Sequence, residues 1–423
     1  MNLRNKLGLL AVMLPGILAL NVSANGFRLA SQDAFASARG EAFVATADNP
    51  SAIYYNPAGI TQLEGNNLRS GIYGIYLNPS FTPTNGASNS GNTYHSSDNL
   101  AAVPQLFYTY TPTNFPLSFG LGVYAPYGGS INWPDGTGFR TVAMKGSLTY
   151  LTANPVVAVK LVPGLSLGAG LMVNYVNMDL EQGLSPYAQP LVNYFKFDGD
   201  GWSVGYNLGL RWQPIDQVSI GATFRSTAAV RLRGYTEFEE QPLVPTSRLP
   251  AHTDFTFPLT VVCGISYRPT PQWNLEFDAD YTDWSSFGIV TINQQGSPPL
   301  GGTQNPPVTL DWQGSWMYEF GVTRYFDNGW HVSAGYVFNE NSVPDAYYTP
   351  LAADLDRHFF SIGAGRKGRR FDFDVTYQLG YGPDHTVTGS TPSSLSGVIS
   401  GQNANGKYDF ISHAVFVTVG LHF

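Results

Sequence analysis

The chain has 423 residues, of which 12% are charged and 14% aromatic, and its formal net charge is −8. A water-soluble surface needs more charge than this, so an ordinary soluble protein is disfavoured. The acidic balance argues against nucleic acid or an anionic surface as a partner. Cys263 is the only cysteine, which excludes an intrachain disulfide and a zinc site built from cysteines.

Residues 1–24 have the pattern of a secretory signal peptide. Arg4 and Lys6 precede an apolar core at residues 7–20, and the small residues at 22–24 form a cleavage site. The mature chain would therefore begin near Asn25. No long apolar run follows, so a membrane protein with this sequence would cross the bilayer with strands.

The segment at residues 25–65 is rich in small residues and poor in strand alternation. Asn49-Pro50 and Asn56-Pro57 each predict the start of a short helix, because Asn caps free amides and Pro fits the first helical position. Gly59 is predicted to end the second of these helices, and residues 28–39 suit another short helix. A surface turn and a flexible periplasmic tail remain alternative interpretations of this segment.

From Leu68 onward the sequence repeats one unit, a segment of period-two alternation closed by a turn. In residues 202–212, for example, Trp, Val, Tyr and Leu alternate with Ser, Gly, Asn and Arg. Such a strand has one apolar and one polar face. Short connections alternate strictly with long loops, and counting the segments between them predicts about fourteen strands.

The two classes of connection are typical of an outer-membrane barrel, with short turns on the periplasmic side and long loops outside. Aromatic residues such as Trp202 and Trp212 stand where interfacial girdles would lie. The last strand ends at Phe423 and would close on the first, near residues 68–77, leaving no open edge in lipid. We therefore predict an all-β transmembrane barrel of about fourteen antiparallel strands at residues 66–423. Residues 25–65 would form a partly helical plug in its lumen. A soluble β-protein would require all these features to coincide by chance.

The predicted third strand contains unusual residues. Gly120 and Gly122 alternate with apolar residues, and Pro126 and Gly128 follow. Glycine weakens strand pairing and proline removes a hydrogen-bond donor, so a kink or a gap is expected here. The alternative is a strand that ends in a loop.

One lumen cation is a candidate partner for a carboxylate. Arg225 faces the lumen by register and lies near mid-barrel, and charge-assisted hydrogen bonds from a guanidinium suit a carboxylate. Arg140 and Lys145, on the outer side, are further candidates. The alternative is that lumen cations pair with inward acids such as Glu276 and Asp278.

The sequence contains two matches to an enzymatic motif, but neither lies in the structural context that catalysis needs. Gly-x-Ser-x-Gly occurs at residues 164–168 and 201–205, but a nucleophile elbow needs a strand-to-helix turn and both matches lie in alternating strands. No His-x-x-x-His pattern is present. We expect no catalytic site, metal or cofactor.

Several stretches together resemble a known family. The Asn56-Pro57-Ala58 stretch, Gly122 to Gly128, Phe224-Arg225-Ser226 and residues 354–357 are similar to those of the FadL-type long-chain fatty-acid transporters, which include TodX-like hydrocarbon channels. The resemblance implies a fourteen-stranded barrel with a plug and a lateral opening at a kinked third strand. It also implies that Asn56, Pro57 and Ala58 lie at an internal binding pocket and that Phe27 contacts the ligand.

We therefore expect a passive outer-membrane channel for hydrophobic substrates, with long-chain fatty acids first and aromatic or alkane hydrocarbons as the alternative. Lipopolysaccharide resists apolar molecules, so such a carrier needs an apolar path from the outside to the membrane lipid. A monomer is expected. A structural or adhesion barrel without transport, and a water-filled porin, are alternatives from other classes.

Overall fold

The computed structural model describes residues 26–84, 91–97, 99–113, 115–186, 192–241, 244–296, 299, 304–397 and 401–423. The predicted signal peptide lies outside the described residues. The described chain forms a closed barrel of fourteen antiparallel strands, as predicted. The strands are β1 (Gly65–Pro83), β2 (Leu100–Thr111), β3 (Leu117–Tyr124, continued by Gly128–Asn132), β4 (Lys145–Val162), β5 (Leu165–Gln182), β6 (Val192–Ile215), β7 (Val218–Arg225 and Ala228–Gln241), β8 (Val244–Phe257 and Thr260–Thr270), β9 (Trp273–Thr282), β10 (Ser315–Tyr325), β11 (Trp330–Asn339), β12 (Arg357–Lys367), β13 (Phe371–Val387) and β14 (Gly406–His422).

The barrel closes between its first and last strands. β1 pairs with β14 from Asn67↔His422 to Pro83↔Gly406, so the first and last strands are joined edge to edge over this stretch. The first strand is longer than the alternation predicted. Residues 78–83 are Asn, Pro, Ser, Phe, Thr and Pro, which lack the apolar period and are recruited by pairing with β14.

The strand faces are divided as the sequence predicts. On β6, Trp202, Val204 and Tyr206 are exposed, whereas Ser203 and Asn207 are buried. Successive side chains of a strand point to opposite faces. On this strand the outer face is therefore apolar and the inner face polar, which is the inverse of a soluble protein.

The lumen is filled by residues 26–64, which form the plug. It contains the helices α1 (Ala34–Ala38) and α2 (Ala52–Tyr55) and a 3₁₀ helix at Pro57–Gln62. The Asp33 carboxylate caps α1, and Asn56 caps the 3₁₀ helix, with proline at its first position. None of the helices in the described residues is long and apolar enough to cross a membrane.

Two local predictions for the plug need correction. The helix expected over residues 28–39 is confined to Ala34–Ala38, because residues 27–29 are held in an extended conformation against β3. Gly59 does not end the second helix, which continues to Gln62. The tighter 3₁₀ turn lets Gly59 approach Ala47, whose carbonyl oxygen would lie 2.3 Å from an added Cβ.

The third strand is interrupted. The lower part of β3 pairs with β2 from Leu106↔Val123 to Tyr110↔Phe119. The upper part, Gly128–Asn132, pairs with β4 alone among the described strands. Proline is tolerated where a strand has an unpaired edge, and Pro104 of β2 lies beside this unpaired stretch.

Candidate functional site

An aromatic pocket lies on the extracellular side of the plug. Phe27 packs on the rings of Trp284, Phe287 and Trp312, with ring centroids 6.4, 6.4 and 5.3 Å away. The ring planes of Phe287 and Trp312 are stacked at 17°. The described lining of the pocket contains apolar, aromatic and hydroxyl side chains but no charged one. This lining suits an apolar small molecule.

Phe27 is positioned by backbone pairing with β3. The Leu29 amide donates to the Pro126 carbonyl at 2.8 Å, and the Gly128 amide donates to the Phe27 carbonyl at 2.9 Å. The plug thus adds a short strand to β3 where β2 does not pair with it. Arg28 anchors the same segment from its other side, because its guanidinium bonds the Asp280 carboxylate at 2.5 and 2.7 Å.

β2 and β3 are not paired with each other over a limited stretch of the described wall. Residues 100–105 of β2 have no partner in β3 within the described pairing, and the Ser97 amide, bonded to the Asn132 carbonyl at 2.9 Å, closes the upper end. A smaller space, here called the passage, adjoins this stretch. It shares Phe27, Met178 and Leu180 with the aromatic pocket and is bounded by Gly129 and Ser130 of β3.

Gly120 and Gly122 serve as a flat surface for the plug. A Cβ at either position would lie 2.8 Å from the Ile53 side chain of α2. Pro126 and Gly128, by contrast, hold the pairing with residues 27–29. The four residues predicted at the third strand therefore all contact the plug, two through packing and two through the backbone.

The Asn56-Pro57-Ala58 stretch lies lower in the barrel than the aromatic pocket. The side-chain nitrogen Nδ2 of Asn56 donates to the carbonyls of Val44 and Leu210 at 2.8 and 2.9 Å. Pro57 and Ala58 pack so closely on the wall glycines Gly168 and Gly209 that an added Cβ would lie within 2.7 Å of them. None of the three lines the aromatic pocket in the described structure. Their position indicates that they hold the plug against the barrel wall.

Arg225 lies in a polar chamber beneath the pocket. Its guanidinium donates to the Tyr124 hydroxyl at 3.0 Å and to the Tyr54 carbonyl at 3.1 Å, and it stacks over the Tyr54 ring at 4.6 Å. Arg225 has no ion pair with a carboxylate in the described part of the chain. The chamber is lined by four acids and two arginines. The acids are Glu41, Asp278, Asp280 and Glu319.

The two outer cations are placed differently. Arg140 is buried, and its donors reach the Asp135 carboxylate at 2.9 Å and the Asn193 side-chain and backbone oxygens at 2.6 and 2.8 Å. Lys145 begins β4 and is partly exposed. Neither lines the aromatic pocket among the described residues. The structure brings together Phe27 and the third strand, but not these cations.

Ionic anchors of the plug were missed by sequence reasoning. Arg39 pairs with Glu276 at 2.9 Å, and Arg69 joins Asp33 to Asp374. The Asp278 carboxylate accepts the amides of residues 43 and 44, both at 2.8 Å. Partners separated by 36 to more than 300 residues leave no local signal. Only the predicted pairing of inward acids with lumen cations anticipated this arrangement.

Known proteins share this architecture. The sequence model of the outer membrane protein transport family (OMPP1/FadL/TodX) matches residues 16–423. The long-chain fatty acid transport protein of Escherichia coli O6:H1 is 22% identical over 375 residues, covering 79% of this chain and 82% of that protein. The 47 kDa outer membrane protein of Pasteurella multocida is 24% identical over 395 residues, covering 86% and 88% of the two chains.

Solved structures agree with the fold. A Pseudomonas aeruginosa FadL homologue superposes with a TM-score of 0.82 at 17% identity, covering 94% of this chain and all of that one. The Pseudomonas putida toluene transporter TodX gives 0.69 at 15% identity, covering 96% and 100%. The family match extends over nearly the whole chain and confirms the resemblance. The chain belongs to the OMPP1/FadL/TodX family of outer membrane transport proteins.

Proposed function

We propose that this protein admits hydrophobic compounds passively, by binding them in the aromatic pocket and releasing them sideways into the outer membrane. The observation that carries the proposal is that the pocket shares lining residues with a space bounded by the interrupted third strand. Phe27, Met178 and Leu180 border both the pocket and the passage that reaches Gly129 and Ser130. An apolar molecule following this route stays out of water, so the hydrophobic effect favours each step.

The plug supplies the gate in this proposal. Residues 27–29 occupy the edge of β3 through two backbone hydrogen bonds and the Arg28–Asp280 ion pair. Two such hydrogen bonds contribute about 1–3 kcal/mol in total, and the buried Arg28–Asp280 pair adds to this, so the segment is displaced only by a substrate whose binding outweighs these contacts together. The rest of the plug, anchored through Arg39, Arg69 and Asp278, would stay in place.

Long-chain fatty acids are the proposed substrate class, since a fatty acyl chain fits the apolar lining and a related transporter carries that name. The second candidate is an aromatic or alkane hydrocarbon. The uncharged lining and the rings of Phe287 and Trp312 favour it, because such a ligand has no carboxylate to satisfy.

The route is tested by narrowing the passage without touching the pocket. Gly129→Trp would fill the passage beside β3, whereas Gly129→Ala adds only a methyl group at the same position. In proteoliposomes we expect the Trp variant to lose most of the acceleration of oleate and hexadecane uptake, with binding to the purified protein unchanged. The Ala variant should behave like the wild type.

Two results would contradict the proposal. If Gly129→Trp transports at the wild-type rate, the lateral route is wrong. If the wild type itself does not accelerate uptake, an adhesion or structural barrel is the better interpretation, and appreciable ionic conductance would favour a porin.

A further inference from the structure

A groove runs along the outer, lipid-facing surface of the barrel over β9, β10 and β11. It has a volume of about 660 Å³, and its floor is formed by Val322 and Ala334, which are opposite each other in the pairing of β10 with β11. Larger side chains of the same face border this floor, namely Ile265, Tyr267, Leu275, Phe277, Phe320 and Tyr336. Because short side chains lie among long ones, the surface is concave here and suits a hydrocarbon chain.

The groove is apolar on the side that faces lipid. Glu276 is the charged residue of its described lining, but this residue is buried and its carboxylate bonds Arg39 and the Thr46 amide of the plug. β10 lies seven strands from β3 in the fourteen-stranded barrel, so the groove is on the opposite wall from the interrupted third strand. It is therefore separate from the route proposed for transport.

Arg324 lies at the periplasmic end of the groove. It follows Val322 on the same face of β10, about 7 Å farther along the strand. Its guanidinium carbon lies 4.9 Å from the ring centroid of Trp273 and 5.9 Å from that of Phe326. Short turns lie on the periplasmic side of such barrels, and aromatic residues mark the interface. The Arg324 cation is therefore held at the level of the lipid head groups of the periplasmic leaflet.

Three further arginines lie on the same arc of the rim. Arg366 is exposed on β12, opposite Trp330 in the pairing with β11. Arg369 and Arg370 follow between β12 and β13 and are also exposed. β10 and β12 are separated by one strand, hence by about 10 Å. The long side chains of Arg324 and Arg366 can therefore reach a single head group.

This arc carries excess positive charge. The ion pairs of the described rim join Arg268 and Lys367 to Asp48 and leave the four arginines without a carboxylate partner there. Asp327 is the acid in the adjacent turn, so the arc has a formal charge of +3, from four arginines less one aspartate. The whole chain has a net charge of −8, and a positive arc on an acidic protein indicates an anionic partner.

We propose that the groove and these arginines bind an anionic phospholipid of the periplasmic leaflet. Its acyl chain would lie in the groove on Val322 and Ala334. Its phosphate would accept hydrogen bonds from Arg324 and Arg366, since a guanidinium matches phosphate geometry. Lipopolysaccharide, the other anionic lipid of this membrane, occupies the opposite leaflet. The site is outside the barrel, so the inference does not depend on the proposed function.

Two variants separate the head-group contact from the chain contact. Arg324→Gln removes one charge, and its control is Lys160→Gln, since Lys160 is an exposed cation at the same end of the barrel, six strands from both β10 and β12. Ala334→Phe fills the groove, and its control is Ala169→Phe, which places the same ring at an exposed position of β5. None of the four positions is buried, so the barrel should fold in each variant.

Native mass spectrometry of the purified protein measures binding of phosphatidylglycerol and of phosphatidylcholine with the same acyl chains. We expect the wild type to bind phosphatidylglycerol at least about fivefold more tightly, because basic residues at a membrane surface favour anionic lipids. Arg324→Gln should lose most of this preference. Ala334→Phe should weaken binding of both lipids by at least about fivefold and keep the preference, because both lipids need the chain site. The two control variants should behave like the wild type.

Several results would overturn the assignment. The site is wrong if Ala334→Phe binds both lipids as the wild type does, or if Arg324→Gln and Lys160→Gln reduce the preference equally. Excess inorganic phosphate should not displace the lipid, because it lacks an acyl chain, and displacement would mean that the arginines bind anions of any kind. A dimeric wild type that Ala334→Phe converts to a monomer would show that a second copy of the chain, and not a lipid, covers this face.

Discussion

Phe27 belongs both to the aromatic pocket and to the backbone pairing with the third strand. Its ring completes the cluster with Trp312 and Phe287, while its carbonyl accepts the Gly128 amide. A ligand that displaces the ring therefore also strains the backbone pairing on β3. The ring and the carbonyl belong to the same residue, so this coupling requires no long-range structural change.

Truncation of this ring should weaken binding of apolar ligands. We expect Phe27→Ala to reduce affinity for hexadecanol by about tenfold, equivalent to about 1.4 kcal/mol, because the ring contributes both apolar area and aromatic contacts. Phe27→Leu, which retains much of the apolar area, should lose less. Equilibrium binding to the purified protein measures both variants, and unchanged affinity in Phe27→Ala would exclude this pocket as the binding site.

Asp48 ties the plug to the lower barrel wall. Its carboxylate lies 3.5 Å from Arg268 and from Lys367. Burial alone would raise the pKa of Asp48, but the positive charges of Lys367 and Arg268 outweigh it and lower this pKa below its usual value. A depressed pKa means that the stabilisation is present above the unfolded pKa of about 3.9 and is lost as pH falls through the folded value.

Asp48→Asn should therefore destabilise the protein at neutral pH but not in strong acid. We expect a loss of about 1 kcal/mol at pH 7, a modest value because both cations are partly exposed. Urea unfolding of both proteins in micelles, repeated from neutral pH to below about pH 3, gives the difference in unfolding free energy. A difference that stays constant over this range would show that the ion pairs do not account for the effect.

At the scale of elements, the plug consists of two differently held parts. The segment from Arg39 to Thr46 is bonded to the carboxylates of Glu276 and Asp278 on β9. Helix α2 rests on the glycines of β3 through Ile53, and its Tyr54 carbonyl accepts a hydrogen bond from the Arg225 guanidinium. Charge-assisted hydrogen bonds are stronger than neutral contacts, and the segment bound to β9 makes more of them than α2 does, so α2 should open more readily.

A methyl group placed under α2 tests this arrangement. Gly120→Ala would put Cβ 2.8 Å from the Ile53 side chain, whereas Gly74→Ala meets nothing closer than 3.7 Å. We expect the first change to cost about 1–3 kcal/mol through overpacking, with faster exchange of the α2 amides. The second should leave exchange of the α2 amides unchanged. Equal exchange in both variants would contradict the proposed contact surface.

At the scale of the whole molecule, the apolar exterior is what holds the barrel in lipid. On β6 the exposed face runs from Trp202 through Leu208 to Trp212, and Ile215 lies at the end of the strand. The aromatic residues at both ends mark the two interfaces. Leu208 therefore lies between them, close to the middle of the bilayer.

Depth in the bilayer should determine the cost of a charge on this face. We expect Leu208→Arg to destabilise the folded barrel by about 2–4 kcal/mol and Ile215→Arg by about 0–1 kcal/mol. Equilibrium unfolding from lipid vesicles measures both, and each variant is the other's control. Equal costs would mean that the membrane boundary has been placed wrongly.

The sequence alone determined the barrel, its strand number, its orientation of faces and the presence of a plug. These follow from period-two alternation, turn lengths and capping residues, all of which act between neighbours in the chain. The interruption of the third strand between Tyr124 and Gly128 was also foreseeable, because glycine and proline act locally on a strand.

Only the tertiary structure decided which side chains meet in the lumen. Arg225 was predicted from its register to bind a ligand carboxylate, yet in the barrel its guanidinium contacts Tyr54 and Tyr124. Phe27 meets Trp312 across 285 residues of chain. Closing a barrel joins segments that are remote in sequence, and the partner of an inward side chain depends on that closure rather than on its neighbours.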